Sequence, residues 1–160
     1  LVMELEYAGG CSVVYHAMSM EDVDRIMLHP KTMIASDGGI YQPGPEVPHP
    51  RNYGAFARVL GRYVRDEKVL TLADAIRKLA ALPAENLKLD RRGLLEEGCF
   101  ADVVVFDPKT IQDHATFTEP HQYATGVIHV FVNGEQVLAD GEHTGATPGR
   151  VVRGPGWTGH

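Results

Sequence analysis

The residues best placed to do chemistry sit in and just after Thr32-Met33-Ile34-Ala35-Ser36-Asp37-Gly38-Gly39. A short apolar run ends there in a carboxylate, and two glycines follow at once. Bounded by turn signals and too short for a helix, the run reads as a buried strand over 32–36. Asp37 then stands at the C-terminal end of a parallel strand, where α/β barrels place catalytic groups. A carboxylate at such a place can take and return a proton. The glycines let the backbone turn sharply beside a ligand. Taken by itself, Ser36-Asp37-Gly38 is better read as an aspartate capping a turn.

The elements around this run must position it. Residues 12–16 read as a second buried strand with His16 at its tip. Ser19 and Asp22 form a capping pair for a helix faced by Val23, Ile26 and Met27, which Pro30 ends after His29. Strand, helix and strand in this order make a βαβ unit of a parallel sheet or barrel. A stiff loop follows, from Tyr41 to Pro50, with prolines at 43, 45, 48 and 50; long loops in compact domains are often functional.

Phe56, Val59, Leu60, Tyr63 and Val64 give an amphipathic helix over roughly 53–66. Arg58, Arg62 and Arg65 lie off its stripe and read as a solvated face. Thr71 and Asp74 cap a further helix, and Pro83 suits the first turn of a short one over 83–88. From about residue 91 the texture turns to β: a strand over 102–106, then two strands flanking the hairpin signal Asn133-Gly134. The expected division is a barrel part over 1–91, a β part over 92–150 and a loose tail over 151–160.

Composition sets limits. Of 160 residues, 44% are hydrophobic and 22% charged, ordinary for a globular protein, and the net charge of -6 argues against nucleic acid and anionic membranes as partners. Two cysteines, Cys11 and Cys99, are too few for a disulfide framework and read as reduced thiols. No signal-peptide pattern opens the chain, so a cytoplasmic location is expected. The chain begins in mid-pattern, as the C-terminal part of something larger would.

Three runs together carry a resemblance: Ile34-Ala35-Ser36-Asp37-Gly38, then His49-Pro50-Arg51-Asn52-Tyr53-Gly54-Ala55-Phe56, then Val59-Leu60-Gly61-Arg62-Tyr63-Val64-Arg65. They resemble the N-acyl-D-amino-acid deacylases (D-aminoacylases) of the amidohydrolase superfamily. The stretch from Asp90 to Asp107, Glu119-Pro120-His121-Gln122-Tyr123 and Val130-Phe131-Val132-Asn133-Gly134 are similar to that family's C-terminal part. The resemblance implies an α/β fold: the last strands and helices of a (β/α)8 metal-dependent hydrolase barrel, then C-terminal strands of a small β-sandwich.

The resemblance also implies the chemistry. A zinc cofactor activates water for attack on the amide of an N-acyl-D-amino acid. Asp37 serves as general base and then acid, and as a metal ligand. Arg51 clamps the substrate α-carboxylate, which its two-pronged donor fits better than a lysine would. His49 is expected at the substrate-binding rim. His16 is a weaker candidate for the site, His29 reads as a helix terminator, His121 as a loop packing residue, and Ser36 either orients Asp37 or packs.

The family's His-x-His metal motif does not occur in these residues. The chain alone is therefore expected to be inactive, with a missing N-terminal barrel segment or self-association covering its open edges. Two other readings stay open: a catalytically incomplete structural or interaction piece, and a hydrolase of cyclic amides such as hydantoins or dihydropyrimidines.

Overall fold

A computed structural model describes residues 1–10 and 13–159. Five helical segments precede a four-stranded antiparallel sheet. The helices are α1 (Val2–Tyr7), α2 (Met20–Leu28), α3 (Arg51–Arg58), α4 (Leu72–Ile76) and α5 (Leu82–Leu87). α3 runs on through a π-wound stretch, Val59–Asp66, and α4 joins α5 through another, Arg77–Ala81.

Local chemistry fixes the helix ends. Ser19 Oγ accepts the Asp22 N–H at 3.4 Å, and Thr71 Oγ1 accepts the Asp74 N–H at 3.2 Å, so both expected caps form. Glu21 and Asp22 add negative charge at the positive end of α2, and His29 closes it. Buried Val59, Tyr63, Leu70 and Ala75 form a core that Val23, Met27, Ile34 and Leu79 pack against. This core seats the segment leading to Asp37.

Neither strand expected in the first forty residues forms. Residues 13–19 and 32–50 are irregular, and Ser12, with Cys11, lies outside the described residues. A strand needs a neighbour for its backbone groups. Among the described residues no strand stands beside 32–36. The extended character survives in burial alone: Thr32, Ile34 and Ser36 are half-buried, while Met33 and Ala35 are exposed.

A single helix carbonyl takes the place of a strand partner. Ile34 N–H donates to Lys78 O at 3.1 Å. That carbonyl is free for a reason legible in the sequence. Leu82 N–H goes to Arg77 O in the π-wound pattern, and the next donor would be Pro83, which has no N–H.

Lys78, fully buried, completes the attachment by donating from Nζ to His29 O at 2.6 Å and to Thr32 O at 3.4 Å. Replacing Lys78 by Met keeps the stem and strands the Thr32 carbonyl, while His29 O keeps the Thr32 N–H at 3.0 Å. The expected loss is about 2 kcal/mol of stability, since buried polar groups without partners cost that order. Thermal denaturation of the two proteins side by side reads it, and an unchanged midpoint would refute the attachment.

The sheet is a meander: β1 (Val103–Phe106), β2 (Val127–Val132), β3 (Glu135–Ala139) and β4 (Glu142–His143). Asn133 at φ 50° and Gly134 at φ 85° turn β2 into β3, the left-handed pair that a tight hairpin requires. Asp140-Gly141 repeats the device between β3 and β4, with φ of 51° and 84°.

Between β1 and β2 the chain makes a long excursion onto the helices. Gly54 and Gly61, two turns apart, admit it: a Cβ at Gly54 would lie 2.6 Å from Asp113 Cβ, and one at Gly61 2.7 Å from Ile111 O. Arg58 pairs with Asp113 at 2.9 Å, and Arg65 donates to Ile111 O at 2.6 Å and Gln112 Oε1 at 2.7 Å. The arginines expected on a solvated face thus include two that dock the helices to the β part. Arg62 pairs locally with Glu67 at 2.6 Å. Residues 151–159 carry no regular structure, and Arg153 lies over the Trp157 ring at 4.2 Å.

Candidate active site

Asp37 takes a left-handed backbone, φ 48°, immediately after the half-buried Ser36. Aspartate tolerates that region better than most residues. Ser36 Oγ accepts the Gly38 N–H at 3.2 Å, so the serine closes the turn instead of orienting the Asp37 carboxylate. The next amide, Gly39 N–H, donates to Asn52 Oδ1 at 2.7 Å. A Cβ at Gly38 would sit 3.2 Å from Asn52 Cα and 3.3 Å from Arg51 O, so glycine eases the close approach of the turn to the start of α3.

That approach brings the two strongest sequence candidates together. Arg51 Nη1 and Asp37 Oδ2 are 2.9 Å apart, with the Asp37 side chain 83% exposed. His49 joins from the proline-rich loop. Its Nδ1 accepts the Arg51 N–H at 3.1 Å, which leaves the ring proton on Nε2 in the neutral form. Burial, then the Arg51 charge and His16, lower the His49 pKa below its ordinary 6.5, and Asp37 opposes them. His49 is accordingly neutral at pH 7, an acceptor toward Arg51 rather than a second cation.

His16 reaches the same place. The rings of His16 and His49 meet Phe117 edge to face, at 4.6 and 5.1 Å between centroids. Asn52 and Phe117 are the two neighbours that the sequence reading did not single out. Asn52 had a local signal, a short amide at the opening of a helix. Phe117 had none, because it arrives from the excursion between β1 and β2. His29 ends α2 as expected, and His121 packs between loops as expected, with a hydrogen bond at each ring nitrogen.

The arrangement holds an exposed carboxylate beside a guanidinium, with a neutral imidazole behind. It can exchange a proton and hold an anion. For a metal it offers one oxygen ligand, Asp37. Among the described residues no three His, Cys, Asp or Glu side chains gather as a metal site. These residues do not by themselves fit a zinc ion. Cys99 is a free, half-buried thiol away from Asp37, lining a hollow with Ala84 and Arg92. No helix among the described residues is long and apolar enough to cross a membrane.

Comparison with known proteins converges on one group. The model of the amidohydrolase family matches residues 15–138. The N-acyl-D-aspartate deacylase of Alcaligenes xylosoxydans xylosoxydans is 46% identical over 140 residues, covering 87% of this chain and 27% of that protein. The D-aminoacylase of the same organism is 45% identical over 152 residues, covering 95% of this chain and 30% of the relative. A dihydroorotase of Lactobacillus helveticus is 30% identical over 95 residues, or 55% of this chain.

Among solved structures, a D-aminoacylase superposes with a TM-score of 0.78 at 45% identity, over 84% of this chain and 28% of that one. The N-acyl-D-glutamate deacylase of Bordetella bronchiseptica, complexed with zinc and a phosphonate mimic of the tetrahedral intermediate, gives 0.72 at 46% identity, over 81% of this chain and 27% of that one. The chain spans less than a third of the length of each of these deacylases.

Proposed function

This chain belongs to the amidohydrolase family, and from that premise we propose that the protein carrying it hydrolyses N-acyl-D-amino acids to a carboxylate and a free D-amino acid. The observation that carries the reading is the Asp37–Arg51 pair, 2.9 Å apart at the turn after Ser36. It joins a proton carrier and an anion clamp, the two functions such a substrate requires. The 45–46% identity to deacylases of linear N-acyl-D-amino acids supports the substrate class.

Asp37 takes a proton from the attacking water and returns it to the leaving nitrogen, so that the amine departs neutral. Arg51 binds the substrate α-carboxylate. Its guanidinium carries five N–H donors and keeps one on Asp37 while another edge receives the substrate. His49, neutral behind it, steadies the Arg51 backbone at the rim without adding charge.

Zinc is the proposed cofactor; when bound, it lowers the pKa of water toward neutrality. Asp37 is the ligand this chain contributes, and the others come from outside these residues. The chain alone is then catalytically incomplete. Exposed apolar side chains such as Val13, Tyr15, Met33 and Ile40 support burial against further barrel elements or a second copy. The proposed architecture is the end of a (β/α)8 barrel over 1–91, with 92–150 contributing strands to a small sandwich and 151–160 a tail. The proposed location is cytoplasmic.

A cyclic amide is the second reading, favoured by the dihydroorotase likeness, which is shorter and lower than that to the deacylases. An assay of the zinc-loaded full-length protein with an N-acetyl-D-amino acid and with dihydroorotate separates the two.

A further inference from the structure

His121 stands in the excursion between β1 and β2, yet both its ring nitrogens are engaged by the proline-rich loop and α3. Nε2 lies 2.8 Å from Glu46 O, and Nδ1 lies 2.6 Å from Tyr53 Oη. A carbonyl only accepts, so Nε2 donates to Glu46; in the neutral ring Nδ1 then accepts the Tyr53 hydroxyl proton. The two partners bracket Arg51 in sequence, five residues before it and two after. One imidazole therefore closes the 46–53 segment into a loop with Arg51 inside.

A second contact from the same excursion acts on the same residue. Phe117 packs on His49, whose Nδ1 accepts the Arg51 N–H at 3.1 Å. Tyr123 adds an edge-to-face contact on Tyr53 at 5.7 Å. Three side chains of a β-part loop thus grip the rim loop on both sides of Arg51, while Arg58–Asp113 fixes the root of the excursion on α3.

We infer that the loop over 114–123 is a strap that sets the reach of the carboxylate clamp, with His121 as its positioning residue. The inference rests on Arg51 being that clamp. Grip and clamp are separable by experiment. The grip governs the order of residues 41–49 whether or not Arg51 binds substrate, and the clamp governs KM.

The test uses the full-length protein and three variants. His121→Phe keeps the ring volume and removes both hydrogen bonds. Tyr53→Phe removes only one, and stands in if the first fails to fold. His121→Gln keeps one acceptor and one donor. Amide hydrogen exchange is followed over residues 41–49, and kcat and KM are measured with an N-acetyl-D-amino acid, with Arg51→Lys as reference.

Under this inference His121→Phe speeds exchange over 41–49 and leaves 59–66 unchanged. It raises KM about tenfold with kcat within about twofold, as expected when two hydrogen bonds of ordinary strength are lost. Tyr53→Phe gives a smaller rise, and His121→Gln recovers most of the loss. Unchanged exchange over 41–49 overturns the strap. So does faster exchange with no change in KM while Arg51→Lys does raise it. If Arg51→Lys also leaves KM unchanged, the clamp reading falls, and the inference that rests on it falls with it.

Discussion

Replacing Asp37 by Asn lowers kcat for an N-acyl-D-amino acid by about 10³-fold, with little change in KM. The amide keeps the size and one oxygen of the carboxylate but cannot take up the water proton at neutral pH. Positioned acid–base groups contribute about 10²–10⁴ in rate. Stability should hardly move. The side chain is 83% exposed, and its ion pair with Arg51 is of the surface kind, contributing under about 1 kcal/mol. A melting curve beside the rate measurement therefore separates lost chemistry from lost folding. Retention of more than a tenth of the wild-type kcat would remove Asp37 from the proposed role.

Arg51→Met is expected to reduce kcat/KM about 10²-fold, chiefly through KM. Methionine keeps much of the stem and loses every donor. Losing a hydrogen-bonded charge partner for a carboxylate costs about 2–5 kcal/mol, and each 1.4 kcal/mol is tenfold. The informative control is a substrate whose α-carboxylate is blocked as an amide. Wild type and variant should turn it over at similar, slow rates, because the clamp has nothing to hold. A variant equally impaired on both substrates would show that Arg51 acts on the reacting centre through its contact with Asp37, and not as a carboxylate clamp.

Local chemistry was legible in the sequence where it depends on near neighbours. The caps at Ser19 and Thr71 form as read, and Asn133-Gly134 makes the hairpin. The strands expected over 12–16 and 32–36 were not borne out. Periodicity reports a preference for extended backbone, whereas a strand needs a hydrogen-bonded neighbour. Ile34 finds that neighbour in Lys78 O, a carbonyl left open by Pro83 half a hundred residues downstream. Lys78 itself has no sequence signal for burial, since lysine at a helical position is read as solvated.

Long-range partners were illegible for the same reason. Arg58 and Arg65 are spaced like a polar helix face, and only the glycines at 54 and 61 hint that backbone approaches there. At the candidate site, the runs around Asp37 and His49-Pro50-Arg51 could be found by resemblance. Their 2.9 Å contact, and the arrival of Phe117 and His121 beside them, belong to the tertiary structure alone.

The most direct measurement of the central claim is kcat/KM of the zinc-loaded full-length protein for an N-acetyl-D-amino acid, its L-enantiomer and dihydroorotate. Turnover of the linear D-substrate is expected, with at least about 10²-fold weaker turnover of the L-form and none of the cyclic amide. Preferred opening of dihydroorotate, or equal rates on the two enantiomers, would contradict that claim.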